Sequence, residues 1–370
     1  MTAHPTDWRR QLGGTASRRQ LLRAAVGIGA GVGAGRLLTA CGAGGSSKSG
    51  SGQVVVRTAG GSYEEGWRKA CFEPFEKDTG IKIVTASDPV EKITAAAKAG
   101  NVQIDVLQLG VRQLELLRVG EAVQKLDYSR FQRTDPKDIR LVEDYYIGTI
   151  AWASVIAYNT KSFADKTPKT WADVWNVGAF PGKRTFSDSS SGLIELEAPL
   201  LADGVPIDQL YPLDLDRAFR KMAEIKPNVA KFYGSGDEQV QLYRAGTAVL
   251  GMGWNGRIQV LKDGGSPMEI EWNQNLQSTD GLGITKGAPN LDNAYKLVDY
   301  SLQPAVLAKL AEYTGYSPLC DKSYPLIPQA VLDKLPATPE RAKLGVVRNV
   351  EWWVKNQAEV DKRWLEFLVK

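Results

Sequence analysis

The residue most plainly set for chemistry is Cys41, which closes the run Leu38-Thr39-Ala40-Cys41. Three small or apolar residues before a cysteine form a lipobox, whose thiol takes a lipid when the chain is cut in front of it. Upstream, Ser17-Arg18-Arg19-Gln20-Leu21-Leu22 has the form of a twin-arginine export signal, and a soft run of Ala, Gly, Val and Ile from Ala24 to Ala34 joins the two. Basic, apolar, small and cleavable segments in that order are an export address and not part of a fold. The expectation is a working chain that starts at Cys41, is lipidated there, and stands outside the cytoplasmic membrane. Arg36 and the small side chains make the apolar run a poor spanning helix, which needs about 20 apolar residues. Gly29-Ala30-Gly31-Val32-Gly33-Ala34 matches a dinucleotide fingerprint only by accident, because no strand precedes it.

Most other chemistries are missing. The one histidine, His4, lies in the export segment, so the rest of the chain has no Ser-His-Asp triad, no Cys-His pair and no histidine metal site. There is no P-loop, no Gly-x-Ser-x-Gly elbow and no Ser-x-x-Lys. No metal, no cofactor and no enzyme activity are expected, although a carboxylate- or lysine-based enzyme lies outside this search. The whole chain has 46 basic and 42 acidic residues; residues 1–40 hold six arginines and one acid, which leaves 40 against 41. A near-neutral body lacks the positive field that nucleic-acid binding needs. Cys71 and Cys320 remain after export, and an extracellular setting allows a disulfide between them or two buried free thiols.

The elements that position any site begin after a tether. Residues 41–52, nearly all Gly and Ser after the cysteine, should behave as a flexible coil. Val54-Val55-Val56 reads as a strand, and Gly60-Gly61 as a turn into a helix with Trp67, Cys71 and Phe75 on one face and Gly80 at its end. Strands at Ile81–Val84 and Ile104–Leu107 alternate with helices at Val90–Ala99 and Leu114–Val119. This βαβαβ order implies a mostly parallel sheet with helices on both faces. Tyr145–Tyr158 reads as a long strand that crosses between lobes. A second α/β unit follows, with strands near Lys183–Phe186, Ala248–Met252, Glu269–Trp272 and Gly281–Ile284. Its helices are expected at Gly192–Ala202, Asp216–Ile225 and Asp237–Ala245, and the C-terminal part is mainly helical. The fold class expected is α/β with two lobes: 53–153 with 279–325, and 154–278. The segment 326–370 is open as to lobe. Two such lobes leave a cleft at the carboxyl ends of their strands, where ligands bind.

Several stretches carry a resemblance. Gly60-Gly61-Ser62-Tyr63 with Phe75-Glu76-Lys77-Asp78-Thr79-Gly80-Ile81-Lys82 looks like the opening of periplasmic solute-binding proteins. Gly251-Met252-Gly253-Trp254-Asn255-Gly256-Arg257 resembles a motif of their spermidine/putrescine branch. Asp280-Gly281-Leu282-Gly283-Ile284 with Lys286-Gly287-Ala288 resembles the return strand, and Gly315-Tyr316-Ser317-Pro318 the late tyrosine loop. The resemblance implies a type II periplasmic-binding-protein fold, a receptor that closes on a small solute, and an ABC permease and ATPase as partners. It also implies a monomer.

The same resemblance names site residues. Trp254, followed at once by Asn255, is expected to line the cleft rather than fill a core. Asp280 matches an aspartate that pairs with an amine, against the alternative of a solvated loop acid. Tyr63 and Tyr316 match ring positions. Gly61 and Ser62 are candidate ligand contacts, and the backbone amides of the Gly60-Gly61 pair at the helix start suit an anionic group. Glu195, placed on a helix after Ser189-Ser190-Ser191, is the candidate second carboxylate. Arg112, on the loop after the third strand, favours a ligand carboxylate if it faces the cleft. Trp152 could line the hinge or pack there. Gly60 and Ser278 stand where the polyamine branch carries aromatic residues. The leading expectation is a lipid-anchored receptor for a polyamine-like organic amine. The alternative is an amino acid, thiamine or other zwitterion; an exported two-lobe enzyme and a sensory lipoprotein stand behind these.

Overall fold

The computed structural model describes residues 52–163 and 165–369. The export signal, Cys41 and most of the tether lie outside the described residues.

The ten strands among the described residues are β1 (Gln53–Arg57), β2 (Lys82–Ala86), β3 (Val106–Gly110), β4 (Tyr146–Asn159), β5 (Arg184–Ser187), β6 (Val229–Tyr233), β7 (Leu250–Trp254), β8 (Met268–Ile284), β9 (Ser317–Pro318) and β10 (Val346–Val347). Their order is β2-β1-β3-β8-β4-β7-β5-β6, with β9 paired to β4 and β10 to β8. The outer triplets, β2-β1-β3 and β7-β5-β6, are parallel. The two long central strands run antiparallel to each other, and to β3 and β7 on their outer sides.

β4 has 14 residues and β8 has 17, and both pass from one lobe to the other. β8 meets β3 through Asp280–Ile284, while β4 meets β7 through Ser154–Tyr158. The strands at Glu269–Trp272 and Gly281–Ile284, expected as separate, are therefore one. Gln274 has φ 58, a left-handed kink at an irregularity in the ladder, with β4 pairing on both sides of it.

Each lobe has its own core. Val54, Trp67, Phe75, Ile81, Leu297 and Leu310 share one cluster; Trp171, Phe180, Leu200, Ile225, Trp353 and Trp364 share the other. The first helical run follows from its glycines. Gly61 has φ 57, and a Cβ there would lie 2.0 Å from the Asp237 carboxylate, so only glycine fits. Gly80 closes the run in the left-handed conformation, as its position predicts.

The C-terminal part serves both lobes. Helices Leu291–Ser301 and Pro304–Thr314 contribute to the first core. The chain then returns along β10, parallel to β8 at Leu276 and Gln277. Helix Val350–Val369 buries Trp353, Val360, Trp364 and Phe367 in the second core. Within segment 326–370, open in sequence, Ile327 and Leu335 pack with Ala308 and Ala311, and the last helix packs into the second core. Cys71 and Cys320 are buried free thiols in the first cluster.

Candidate ligand site between the lobes

A cavity of about 410 Å³ lies where the parallel strands of both lobes end. The strand ends of β1, β3 and β7, the crossings of β4 and β8, and the chain just after β10 all reach it.

One side is an acid among rings. Asp280 is half-buried where β8 crosses, and its Oδ1 accepts from Trp152 Nε1 at 2.7 Å while its Oδ2 accepts from Tyr63 OH at 3.2 Å. Burial pushes the carboxyl up to about 6, against the pull of those two hydrogen bonds and of the nearby Arg57 charge. Tyr63 stands edge-on to Tyr316, ring centres 5.8 Å apart, and Trp152 edge-on to Trp254 at 5.9 Å. All four rings line the cavity. Aromatic rings beside one half-buried carboxylate have the chemistry that suits an ammonium group and its methylenes.

The other side is cationic. Arg112 sits in the first turn of helix Val111–Val119, because that helix starts three residues earlier than the sequence suggests. Its guanidinium is 4.8 Å from the Trp353 ring centre and donates through Nη2 to Gly192 O; Nε and Nη1 have no partner among the described residues. Burial lowers its pKa to about 10, so it stays charged at neutral pH. Arg348 follows β10 and also lines the cavity. It pairs with Glu195, and its Nε and Nη1 are likewise without a partner. Burial and the adjacent Arg112 charge press Arg348 well below its ordinary value, and its Nη2 is paired with Glu195. Buried N–H groups without partners are costly and are usually satisfied by a ligand or water. Thr58 Oγ1, the Gln108 amide and Trp254 Nε1, all on the wall, are also unpaired.

The structure therefore brings Tyr63, Arg112, Trp254, Asp280 and Tyr316 to one cavity. It does not bring the rest of the expected set to the wall. Glu195 lies on an irregular stretch before helix Glu197–Ala202, not on a helix, and is buried. Its Oε1 accepts from Ser154 Oγ and Arg348, and its Oε2 accepts from Ser187 Oγ at 3.0 Å. It sits behind Arg348 rather than on the cavity. Asn255 is buried and structural: its Oδ1 accepts from Ala153 N at 3.0 Å, and its Nδ2 donates to Gly315 O at 2.9 Å. Gly61 and Ser62 are one step back from the wall, where the Ser62 hydroxyl meets Arg257 Nη1. Arg257 also reaches Gly60 O at 3.3 Å and Asp237 at 3.2 Å, and so ties the two lobes together. Sequence reasoning missed Arg57, Gln108, Arg348 and Trp353. The last two come from the far end of the chain, with no local signal beyond a short apolar run before Arg348.

Among the described residues no cluster of His, Cys, Asp and Glu could hold a metal ion, and no helix is long and apolar enough to cross a membrane.

A family model described as bacterial extracellular solute-binding protein matches residues 70–340. A γ-aminobutyric acid-binding protein of Pseudomonas aeruginosa is 30% identical over 321 residues, covering 84% of this chain and 89% of the relative. The spermidine/putrescine-binding periplasmic protein of Escherichia coli K12 is 28% identical over 256 residues, covering 66% of this chain and 72% of the relative. A solved structure of a γ-aminobutyric acid receptor superposes with a TM-score of 0.76 at 32% identity, covering 85% of this chain and 97% of that one. These relatives bind solutes rather than turn them over, and proteins of this kind deliver a small molecule to an ABC permease and ATPase. The two-lobed body, the cavity between its lobes and the match over 70–340 make this chain a member of the bacterial extracellular solute-binding proteins, in the polyamine-type branch of the ABC-transporter receptors.

Proposed function

We propose that this protein is the lipid-anchored receptor of an ABC importer for a short zwitterion, an ω-amino acid such as γ-aminobutyrate. The ammonium end rests against Asp280 among the four rings, and the carboxylate end against Arg112. The observation that carries this reading is the charge of the wall. Asp280 is the one acid among the cavity-lining residues, whereas Arg57, Arg112, Arg257 and Arg348 all line it. A diamine needs an anionic partner at each end; this wall offers one at one end only. The amine half of the polyamine-like expectation is retained, and the second ammonium is replaced by a carboxylate. The γ-aminobutyrate receptors among the relatives support the same choice. Lipid on Cys41 would keep the receptor at the outer face of the membrane, with residues 42–52 as a tether.

A thermal-shift screen of residues 42–370 tests this. The panel holds γ-aminobutyrate, its one-carbon-longer and shorter homologues, putrescine, spermidine, thiamine and a sugar. A ligand at about 100 times its dissociation constant adds ~2.7 kcal/mol of stability. A shift with ω-amino acids is expected; a shift with diamines alone would refute the zwitterion reading.

A further inference from the structure

We propose that Arg348 selects the charge class of the ligand: it accepts an anionic group beside Arg112 and turns away a second ammonium. This rests on the zwitterion reading and adds a specificity-determining residue to it. Arg348 lies beyond residues 70–340, so the segment that carries it is outside the part of the chain that the family model matches.

The strap that delivers Arg348 is fixed at both ends. Before it, β10 pairs with β8, and Arg348 N donates to Gln277 O at 3.2 Å. After it, Trp353 and Trp364 anchor the C-terminal helix in the second core. The side chain is fixed as well. Glu195 pairs with it, Ser154 Oγ lies 3.4 Å from Nη2, and the Trp152 ring centre is 5.8 Å from Cζ. Glu195 is itself held by Ser154 and Ser187. The guanidinium therefore has no free swing. Glu197 Oε1, 3.9 Å from Arg348 Nε, is too far for a hydrogen bond, so Nε and Nη1 stay unpaired.

Two consequences follow. A carboxylate that enters beside Arg112 gives those unpaired N–H groups their missing acceptor, in a site too buried for water to screen the pair. An ammonium at the same place meets two guanidinium charges, whereas the acids beside them, Glu195 and Glu197, lie behind the cavity wall and not on it. Discrimination comes from the repulsive element as much as the attractive one. Arg348 thus acts on the ligand, and Glu195 is its positioning residue.

The test compares dissociation constants for γ-aminobutyrate and putrescine in the unaltered protein, R348Q, R348K and the double variant R348Q/E195Q. The double variant removes both buried charges and guards against unfolding from an unpaired Glu195, with circular dichroism melting as the control. The unaltered protein is expected to prefer γ-aminobutyrate. R348Q or the double variant should weaken γ-aminobutyrate about 100-fold and strengthen putrescine, so that the preference collapses; R348K should keep it. A merely structural role would weaken both ligands together. Equal loss for both, or no change in their ratio, overturns the role of Arg348 while leaving the zwitterion reading intact. Failure of the unaltered protein to bind any ω-amino acid while it binds another solute of the panel overturns both.

Discussion

The indole N–H of Trp152 donates to Asp280 Oδ1 at 2.7 Å, so the acid that would meet the ligand is held by a ring on the neighbouring crossing strand. Two neutral donors, Trp152 and Tyr63, only partly offset its burial, and the carboxyl titrates near 6. In the empty protein the acid is ionised above that pH. A bound ammonium stabilises the ionised form and lowers its pKa further. Affinity for an amine-bearing ligand should be full above pH 6 and fall by up to tenfold per unit as the pH drops below it. Asp280→Asn should cost at least ~2 kcal/mol of binding, about 30-fold, and abolish this slope. Titration calorimetry between pH 5 and 8 reads both; a flat profile in the unaltered protein would contradict the role of Asp280.

How far the sequence reached depends on whether a residue's surroundings are local. The strand-to-helix turn at Gly60-Gly61, the crossing strand β4 and the ring at the end of β7 are set by nearby glycines and apolar patterning, and Tyr63, Trp254, Asp280 and Tyr316 all line the cavity as expected. Arg112 was legible as a residue but not as a helical one, because Gly110 starts the helix earlier than its apolar residues suggest. Glu195 and Arg348 are 153 positions apart in number and make one buried ion pair. Nothing local marks such a pair, so each was misread or missed. The unity of β8 was missed for the same reason, because its pairing with β4 on both sides of Gln274 is long-range.

Trp254 is half-buried, with its ring edge-on to Trp152 at 5.9 Å and to Tyr233 at 5.7 Å. Trp254→Ala should weaken ligand binding by ~1–2 kcal/mol, roughly 5- to 30-fold, through loss of a ring face for the cation and methylenes. The protein should remain folded, with a melting temperature a few degrees lower. Calorimetric binding beside a melting curve checks this; outright unfolding would make the ring a core residue first.

Arg257, held by Asp237 of its own lobe, joins the lobes through Ser62 and Gly60 O beside the rings of the cavity. A contact made only when the lobes meet favours the closed form. Arg257→Gln should shift the empty protein toward open conformations and raise the dissociation constant of every ligand by a similar factor, about 10-fold. Small-angle scattering should show a larger radius of gyration without ligand. An effect confined to anionic ligands would make Arg257 a ligand contact instead.

Cys71 Sγ lies 3.2 Å from Ser301 Oγ, and burial pushes its thiol up to about 12. Native protein should resist iodoacetamide at Cys71. Denatured without reductant, both Cys71 and Cys320 should alkylate fully, as read by peptide mass. A peptide pair joined through these two residues would contradict the free-thiol state.

The account stands on the opposed charges of Asp280 and Arg112 in one cavity. Titration calorimetry of residues 42–370 with γ-aminobutyrate and with putrescine, under identical conditions at pH 7.5, tests it most directly. Tighter binding of γ-aminobutyrate, weakened ~30-fold or more by Arg112→Met while putrescine is spared, is the expected result. Tighter binding of putrescine, or indifference of γ-aminobutyrate to Arg112→Met, would contradict it.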